Sequence, residues 1–141
     1  MDTVYRDLHR FDEEAIADLE ALVAEHGLAP VRAKRRPVLH LDVDTTVEPV
    51  FGDHEGAVVG YNPRYHGRPS YHPILARCAE TDTVVGAKLR PGNTALGDAD
   101  APTVGAWLAR VRAAAGKKPV LMVRIDSAGD CTAIMRTIAE E

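Results

Sequence analysis

The stretch VLHLDVDTTV, Val38–Val47, decides the fold of this 141-residue chain. In it Leu39, Leu41 and Val43 alternate with polar residues, and this period of two predicts a β-strand with one apolar and one polar face. The polar positions are His40, Asp42 and Asp44. Carboxylates within an apolar strand are normally paired, hydrogen-bonded or bound to a metal ion, because burying a lone charge is costly. The strand therefore contains candidate functional residues as well as the pattern that predicts the fold.

A second apolar strand is predicted at Pro119–Ile125, and Asp126 follows it directly. It follows a helix whose apolar residues recur at positions i, i+3, i+4 and i+7 and which ends at Gly116. These apolar residues are Val104, Trp107, Leu108 and Val111. A right-handed crossover through this helix makes the second strand the parallel neighbour of Val38–Val47. Because parallel strands are usually buried on both sides, we expect helices over both faces of the sheet.

The remaining segments complete an α/β pattern. Ile74–Ala79 and Thr83–Leu89 predict a hairpin. Gly52–Pro73 is so rich in glycine and proline that it predicts a long loop, with no regular structure beyond a short extended segment at Ala57–Gly60. Cys131–Glu141 predicts a final helix. The expected fold class is α/β, with a mixed sheet of about four strands flanked by helices.

The first third of the chain is predicted to be helical. Asp12 is the expected N-cap of a helix that ends at Gly27 and follows a shorter helical turn at Thr3–Arg10. The expected apolar face of this helix comprises Ile16, Leu19, Leu22 and Val23. Residues 1–37 are thus a helical lead-in and basic linker, and residues 38–141 are the domain that contains the sheet.

Composition limits the classes of function. The 21 Asp and Glu residues outnumber the 17 Lys and Arg, and a net charge of −4 excludes a protein that coats nucleic acid with its whole surface. Any contact with nucleic acid is therefore local, through one basic cluster before the first strand and another around later loops; the alternative is a solvated basic face. The cluster before the strand comprises Arg32, Lys34, Arg35 and Arg36. Two distant cysteines and no long apolar stretch predict a cytoplasmic protein without disulfides or a membrane partner.

Three acids converge if the two apolar strands are neighbours. Adjacent backbones lie about 4.8 Å apart, so a carboxylate on each strand can share one divalent ion. Oxygen ligands of this kind suit Mg²⁺ or Mn²⁺ rather than zinc. The candidate ligands are Asp42, Asp44 and Asp126. The alternative, which the pattern leaves open, is that the two strand acids cap loops or form ion pairs. Their possible partners are Arg124, His40 and Arg90.

Four blocks of the sequence resemble, in order and spacing, those of the group 1 DDE-domain transposases of insertion sequences. They are LDVDTTV (Leu41–Val47), FGDHEGAVVGYNPRYHGRPSYHP (Phe51–Pro73), KLRPGNT (Lys88–Thr94) and VRIDSAG (Val123–Gly129). The run TVYRDLHRFD at Thr3–Asp12 also resembles the segment that precedes the catalytic domain in that family. The resemblance covers nearly the whole chain, and four successive blocks are far more specific than any one of them.

The resemblance implies a ribonuclease-H-like fold in which one aspartate of the first strand and one at the end of the fourth strand hold Mg²⁺ or Mn²⁺. The LDVDTT block gives Asp44 as the first catalytic residue, with Asp42 as a further candidate ligand. The RIDSAG block gives Asp126 as the second. The metal ions would activate water or a DNA 3′-hydroxyl for attack on a phosphodiester at insertion-sequence ends. The implied partner is therefore terminal-repeat DNA.

The sequence departs from the family in one respect. The third catalytic acid, a glutamate on a helix well downstream of the fourth strand, has no counterpart, since Glu140 and Glu141 lie only one helix beyond Asp126. We therefore expect a truncated transposase fragment with little activity by itself. The alternative is an inactive remnant that binds DNA or an intact transposase. Truncation would also leave Val120–Ile125 as an open sheet edge through which the chain self-associates.

Gly52–Pro73 is the predicted nucleic-acid contact. Its basic residues are interleaved with tyrosines, which suits a loop that grips phosphates and stacks on splayed bases. The candidate contacts are Arg64, His66 and Arg68 in the loop and Arg90 beyond it. The alternative is a polar loop that folds over the sheet with its aromatic side chains packed down.

Overall fold

The computed structural model describes residues 11–126 and 131–140. Its helices are α1 (Glu13–Ala33), α2 (Ala101–Ala115) and α3 (Thr132–Glu140). Its strands are β1 (Val38–Thr45), β2 (Glu48–Pro49), β3 (Val58–Val59), β4 (Pro69–Tyr71), β5 (Ile74–Cys78), β6 (Thr83–Lys88) and β7 (Val120–Ile125). A 3₁₀ turn at Asp98–Asp100 leads into α2. The helical turn predicted at Thr3–Arg10 lies outside the described residues.

Four strands form the main sheet, in the order β6-β5-β1-β7. Strand β1 is parallel to β7 and antiparallel to β5, and β5 and β6 form the antiparallel hairpin. The predicted α/β fold with a four-stranded mixed sheet is confirmed, as is the parallel pairing of its first and last strands. Strand β7 lies at one edge of this sheet.

The apolar face of the main sheet forms the core together with all three helices. Leu39, Leu41 and Val43 of β1 are buried, and they belong to one cluster with Leu28 of α1 and Ile134 of α3. The four residues predicted as the apolar stripe of α2 are buried in the same cluster. Burial of each such large side chain contributes about 1.5–3 kcal/mol relative to exposure, so this face holds the domain together.

The opposite face of the main sheet, called the open face below, carries polar side chains. His40, Asp42 and Asp44 alternate with the buried residues of β1 and are half-buried or exposed. Helical cover was expected on both faces, but the three described helices all pack on the apolar one. Charged side chains need water or ionic partners, and an apolar cover would deprive them of both.

Helix α1 differs from its prediction in its end and in its buried face. Asp12 caps it as predicted, since Oδ1 accepts a hydrogen bond from the Ala15 N–H at 2.9 Å, but the helix passes Gly27 and ends at Ala33. A Cβ on Gly27 would lie 2.0 Å from the carbonyl oxygen of Val84 in β6. The glycine therefore permits close packing of helix on strand. The buried residues are Ala24, Gly27, Leu28 and Val31. The predicted apolar face of Ile16, Leu19, Leu22 and Val23 is exposed.

The predicted long loop Gly52–Pro73 contains two short strands, β3 and β4, of which β3 lies within the extended segment predicted at Ala57–Gly60. Three short strands form a second, antiparallel sheet in the order β2-β4-β3, called the small sheet below. Ser70 of its central strand is fully buried, between Pro49 on one side and Val58 on the other. Strands of two or three residues are too short to show an alternation, so the sequence contains no periodic signal for them.

Candidate functional site

Two acidic residues lie at the carboxyl ends of the neighbouring strands β1 and β7. The parallel register ends with Val43 opposite Ile125. The next residue along β1 is Asp44, and the residue that follows β7 is Asp126. Both residues are exposed, and no strand lies between β1 and β7. Neighbouring strand backbones are about 4.8 Å apart, a spacing at which two carboxylates on one face can share a cation.

Asp44 is oriented by the backbone of its own strand. Its Oδ1 accepts a hydrogen bond from the Thr45 N–H at 2.8 Å. Within the part of the chain that the structure describes, Oδ2 has no hydrogen-bond partner. One oxygen of Asp44 is therefore held in place while the other is available to a ligand.

Asp42, two residues earlier, is engaged by arginines. Arg124 donates from Nε to Oδ1 at 2.5 Å and from Nη2 to Oδ2 at 2.8 Å, and Nη1 of Arg77 lies 3.7 Å from Oδ2. The hydrogen bonds from Arg124 lower the pKa of Asp42, and they outweigh the partial burial that acts to raise it. The ion pair with Arg124, which the sequence left open as an alternative, is present. Of the two strand acids, Asp44 is the accessible one.

A further polar pair joins β1 to the turn between β5 and β6. His40 Nδ1 lies 2.5 Å from Oε1 of Glu80, and the backbone N–H of His40 donates to Oε2 at 2.8 Å. Burial acts to raise the pKa of Glu80, but these hydrogen bonds outweigh it and lower the pKa to about 2. Sequence reasoning missed Glu80, because an acid in a turn gives no signal of a partner 40 residues away.

The ligand chemistry of the site fits a hard divalent cation. Asp44 and Asp126 offer carboxylate oxygens, which Mg²⁺ and Mn²⁺ prefer. Within residues 11–126 and 131–140, no group of three or more acidic, histidine or cysteine side chains is arranged to hold a metal ion. Two protein ligands suffice for Mg²⁺, which keeps several waters and takes phosphate oxygens from its substrate.

The predicted nucleic-acid loop presents its basic side chains to solvent. Arg64, His66 and Arg68 are exposed, and the guanidinium carbon of Arg68 lies 4.4 Å from the centre of the Phe51 ring. The buried Asn62 stabilises the loop, because its Oδ1 accepts hydrogen bonds at 3.0 Å from two consecutive backbone N–H groups. These groups belong to Arg64 and Tyr65.

The tyrosines of this loop distinguish between its two interpretations. Tyr61 is 83% exposed and Tyr65 is 44% exposed. The alternative of aromatic side chains packed down on the sheet therefore does not hold for these two residues. Tyr61 is the more accessible to a stacking partner, because the guanidinium carbon of Arg68 lies 5.9 Å from the centre of the Tyr65 ring.

Arg90 does not belong to this exposed group. Its side chain is 4% exposed, and Nη1 donates to Oδ2 of Asp100 at 2.6 Å. Its Nε donates to the carbonyl oxygen of His72 at 2.9 Å, so Arg90 connects the segment after the small sheet to the start of α2. The expectation that Arg90 contacts nucleic acid is therefore wrong, because a buried and paired guanidinium does not reach a phosphate.

The chain matches one family of known proteins. The family model described as transposase DDE domain group 1 matches residues 2–141. No curated protein and no solved structure matches the chain. Among the described residues, no helix is both long enough and apolar enough to cross a membrane.

Proposed function

This chain belongs to the group 1 DDE-domain transposase family, and we propose that Asp44 and Asp126 hold Mg²⁺ or Mn²⁺ for phosphodiester cleavage and strand transfer at insertion-sequence ends. The family expected from the sequence blocks is confirmed, and the role of the chain is transposase-related. One observation carries the proposal of the site. The register of β1 and β7 ends with Val43 opposite Ile125, immediately before the two acids.

Each residue of the proposed site has its own task. Asp44 and Asp126 would hold a divalent cation through carboxylate oxygens, and the cation would supply positive charge to activate an attacking hydroxyl and stabilise the leaving oxygen. The Thr45 N–H keeps Asp44 in one orientation. Arg124 and Asp42 neutralise each other through two hydrogen bonds, so the pair holds β1 and β7 together two residues before Asp126 without adding net charge.

The order of strands supports a ribonuclease-H-like core. Along the chain, the first and fourth strands of the main sheet are β1 and β7, and the two acids lie at their ends. Strand β1 has an antiparallel hairpin on one side and, on the other, a parallel strand reached through α2. This is the arrangement of acids on strands that the family resemblance implies.

We infer that the loop of Arg64, His66 and Arg68 contacts the DNA backbone, with terminal-repeat DNA as the target. Exposed guanidinium groups bind phosphate oxygens through paired hydrogen bonds. Arg68 rests on Phe51 at 4.4 Å, which reduces the entropy lost when the side chain binds. The exposed tyrosine rings of the same loop supply stacking surfaces for unpaired bases.

The edge position of β7 supports self-association. Its sequence VLMVRI is largely apolar, and within the described residues β1 is its one strand neighbour. A second copy of the chain can add a strand to such an edge. Size-exclusion chromatography with light scattering should therefore show a dimer that forms as concentration rises. A monomer at all concentrations would contradict this part of the proposal.

Cation binding tests the site directly. Titration of the protein with Mn²⁺, followed by the loss of the free-ion electron paramagnetic resonance signal, gives the dissociation constant. Asp44→Asn and Asp126→Asn each remove a ligand oxygen and should weaken binding roughly tenfold or more. Asp18→Asn is the matched control, because Asp18 is exposed on α1 and its substitution removes the same negative charge.

The control variant decides the interpretation. Equal affinities for Asp44→Asn, Asp126→Asn and Asp18→Asn would overturn the proposed site. Asp42→Asn is expected to weaken binding less than Asp44→Asn, because Asp42 is already occupied by Arg124. Circular dichroism of each variant verifies that the fold is unchanged.

A further inference from the structure

A basic recess lies at the end of the main sheet opposite the two acids. The connection from α1 to β1 and the connection from α2 to β7 run side by side there, because β1 and β7 are parallel neighbours. The Val120 N–H donates to the carbonyl oxygen of Pro37 at 2.9 Å and joins the two connections. Between them is a recess of about 460 Å³.

The recess has a strongly positive lining. Four cationic side chains contribute to it, namely Arg35, Arg36, Lys117 and Lys118, and no acidic residue does. Within the described part of the chain, none of the four forms an ion pair. An adjoining recess adds Arg32 and Lys34 to the same surface.

The backbone around the recess is well fixed. Gly116 ends α2 with a φ of 79°, which a glycine adopts without strain, and directs the chain into Lys117 and Lys118. Arg112 Nη1 donates to the carbonyl oxygen of Pro119 at 2.7 Å, and Arg36 donates to the backbone carbonyl of Glu80. The positive charges are therefore brought together by the fold, in a chain whose net charge is −4.

We propose that this recess binds successive phosphates of duplex DNA, as a second contact remote from Asp44 and Asp126. Like charges without counter-ions repel each other, and a polyanion relieves that repulsion while releasing its own condensed cations. Six residue steps separate Val38 from Asp44, roughly 20 Å of strand. A duplex that follows β1 would reach both ends of the strand with about six base pairs. The choice of DNA as the polyanion rests on the proposed function.

Fluorescence anisotropy with a labelled 20-base-pair duplex, in EDTA and over a series of salt concentrations, tests this proposal. Lys117→Ala/Lys118→Ala should weaken binding about tenfold at low salt and reduce the slope of log K against log salt by about 2. Arg110→Ala/Arg136→Ala is the matched control. Both arginines are exposed and lie outside the two recesses, and their substitution removes the same amount of positive charge. It should leave the slope nearly unchanged.

Two outcomes would overturn the proposal: equal losses in the lysine variant and its control, or an unchanged salt slope in the lysine variant. Binding to anionic phospholipid vesicles that exceeds binding to the duplex would overturn the choice of DNA. Thermal unfolding of each variant verifies that the fold survives. Because EDTA removes divalent cations from the assay, failure of the proposed metal site would not alter this result.

Discussion

Two arginine–aspartate pairs, one beside the small sheet and one on the open face, use the same chemistry in different surroundings. The side chains of Arg90 and Asp100 are 4% and 5% exposed, and Nη1 lies 2.6 Å from Oδ2. The side chains of Arg124 and Asp42 are 57% and 26% exposed, and Nε lies 2.5 Å from Oδ1. The distances are nearly equal, and Arg124 makes two hydrogen bonds to its aspartate where Arg90 makes one. The greater stabilising effect expected of the Arg90 pair therefore comes from the exclusion of water.

The buried Arg90–Asp100 pair is therefore expected to stabilise the fold, whereas the exposed Arg124–Asp42 pair is expected to orient side chains of the site. Water screens an exposed pair, which adds little net stability but still fixes the direction of its side chains. A buried pair that loses one member leaves an uncompensated charge in an apolar environment. The His40–Glu80 pair is intermediate, with side chains 29% and 24% exposed. The loss of stability on breaking a pair should therefore fall as exposure rises.

Asp100→Ala is expected to have the largest effect. The substitution leaves Arg90 buried without a counter-charge and removes the acceptor of the Gly97 N–H, at 3.1 Å. The free energy of unfolding should fall by about 3–5 kcal/mol, measured by urea denaturation. Arg90→Met/Asp100→Leu replaces the pair with apolar side chains and should recover most of that loss. A loss below about 1 kcal/mol for Asp100→Ala would remove the contrast with the exposed pair.

Glu80→Gln should have an intermediate effect that depends on pH. The pKa of Glu80 is lowered from 4.5 to about 2, so its ionised form stabilises the folded state. This contribution is complete above pH 4.5 and is lost as the pH falls towards 2. At neutral pH the substitution should cost about 1–2 kcal/mol. Urea denaturation of both proteins across this range should show their stabilities converging on acidification; a difference independent of pH would contradict the assignment.

Arg124→Ala should have the smallest effect on stability. Because the pair is exposed, the midpoint of urea denaturation should move no more than in Arg110→Ala, a control on the surface of α2. The pKa of Asp42 should nevertheless rise towards its ordinary value, since the hydrogen bonds from Arg124 are the main cause of its lowering. Carboxyl chemical shifts followed by NMR through an acid titration measure this change. An unchanged pKa of Asp42 would mean that the pair does not persist in solution.

Much of the main sheet could be predicted from the sequence, because hydrophobic periodicity is a local property. Strand β1, the hairpin and α2 all have clear periods. The buried face of α1 was missed although its residues also follow a helical spacing. Ala24, Gly27, Leu28 and Val31 stand at i, i+3, i+4 and i+7, but two of them are small and look less hydrophobic than the exposed stripe. Only the close approach of β6 to Gly27 selects that face.

The candidate site was partly predictable. The strand ends and the family blocks identified Asp44 and Asp126 as candidates, and the parallel register agrees with their convergence. Neither signal indicated that Arg90 is buried, because an arginine after a strand looks the same whether it meets solvent or a hidden aspartate. The basic recess also had no complete signal, since residues 35–36 and 117–118 are brought together by strand pairing alone.

The sequence by itself determined the four strands of the main sheet, the helix α2 and the family, because periodicity and motif blocks are properties of neighbouring residues. The tertiary structure alone decided which charges are paired, which are buried and which remain accessible. Asp42 and Arg124 are 82 residues apart, and His40 and Glu80 are 40 apart. Such pairs depend on strand register and on the exclusion of water, and both arise only when distant segments pack together.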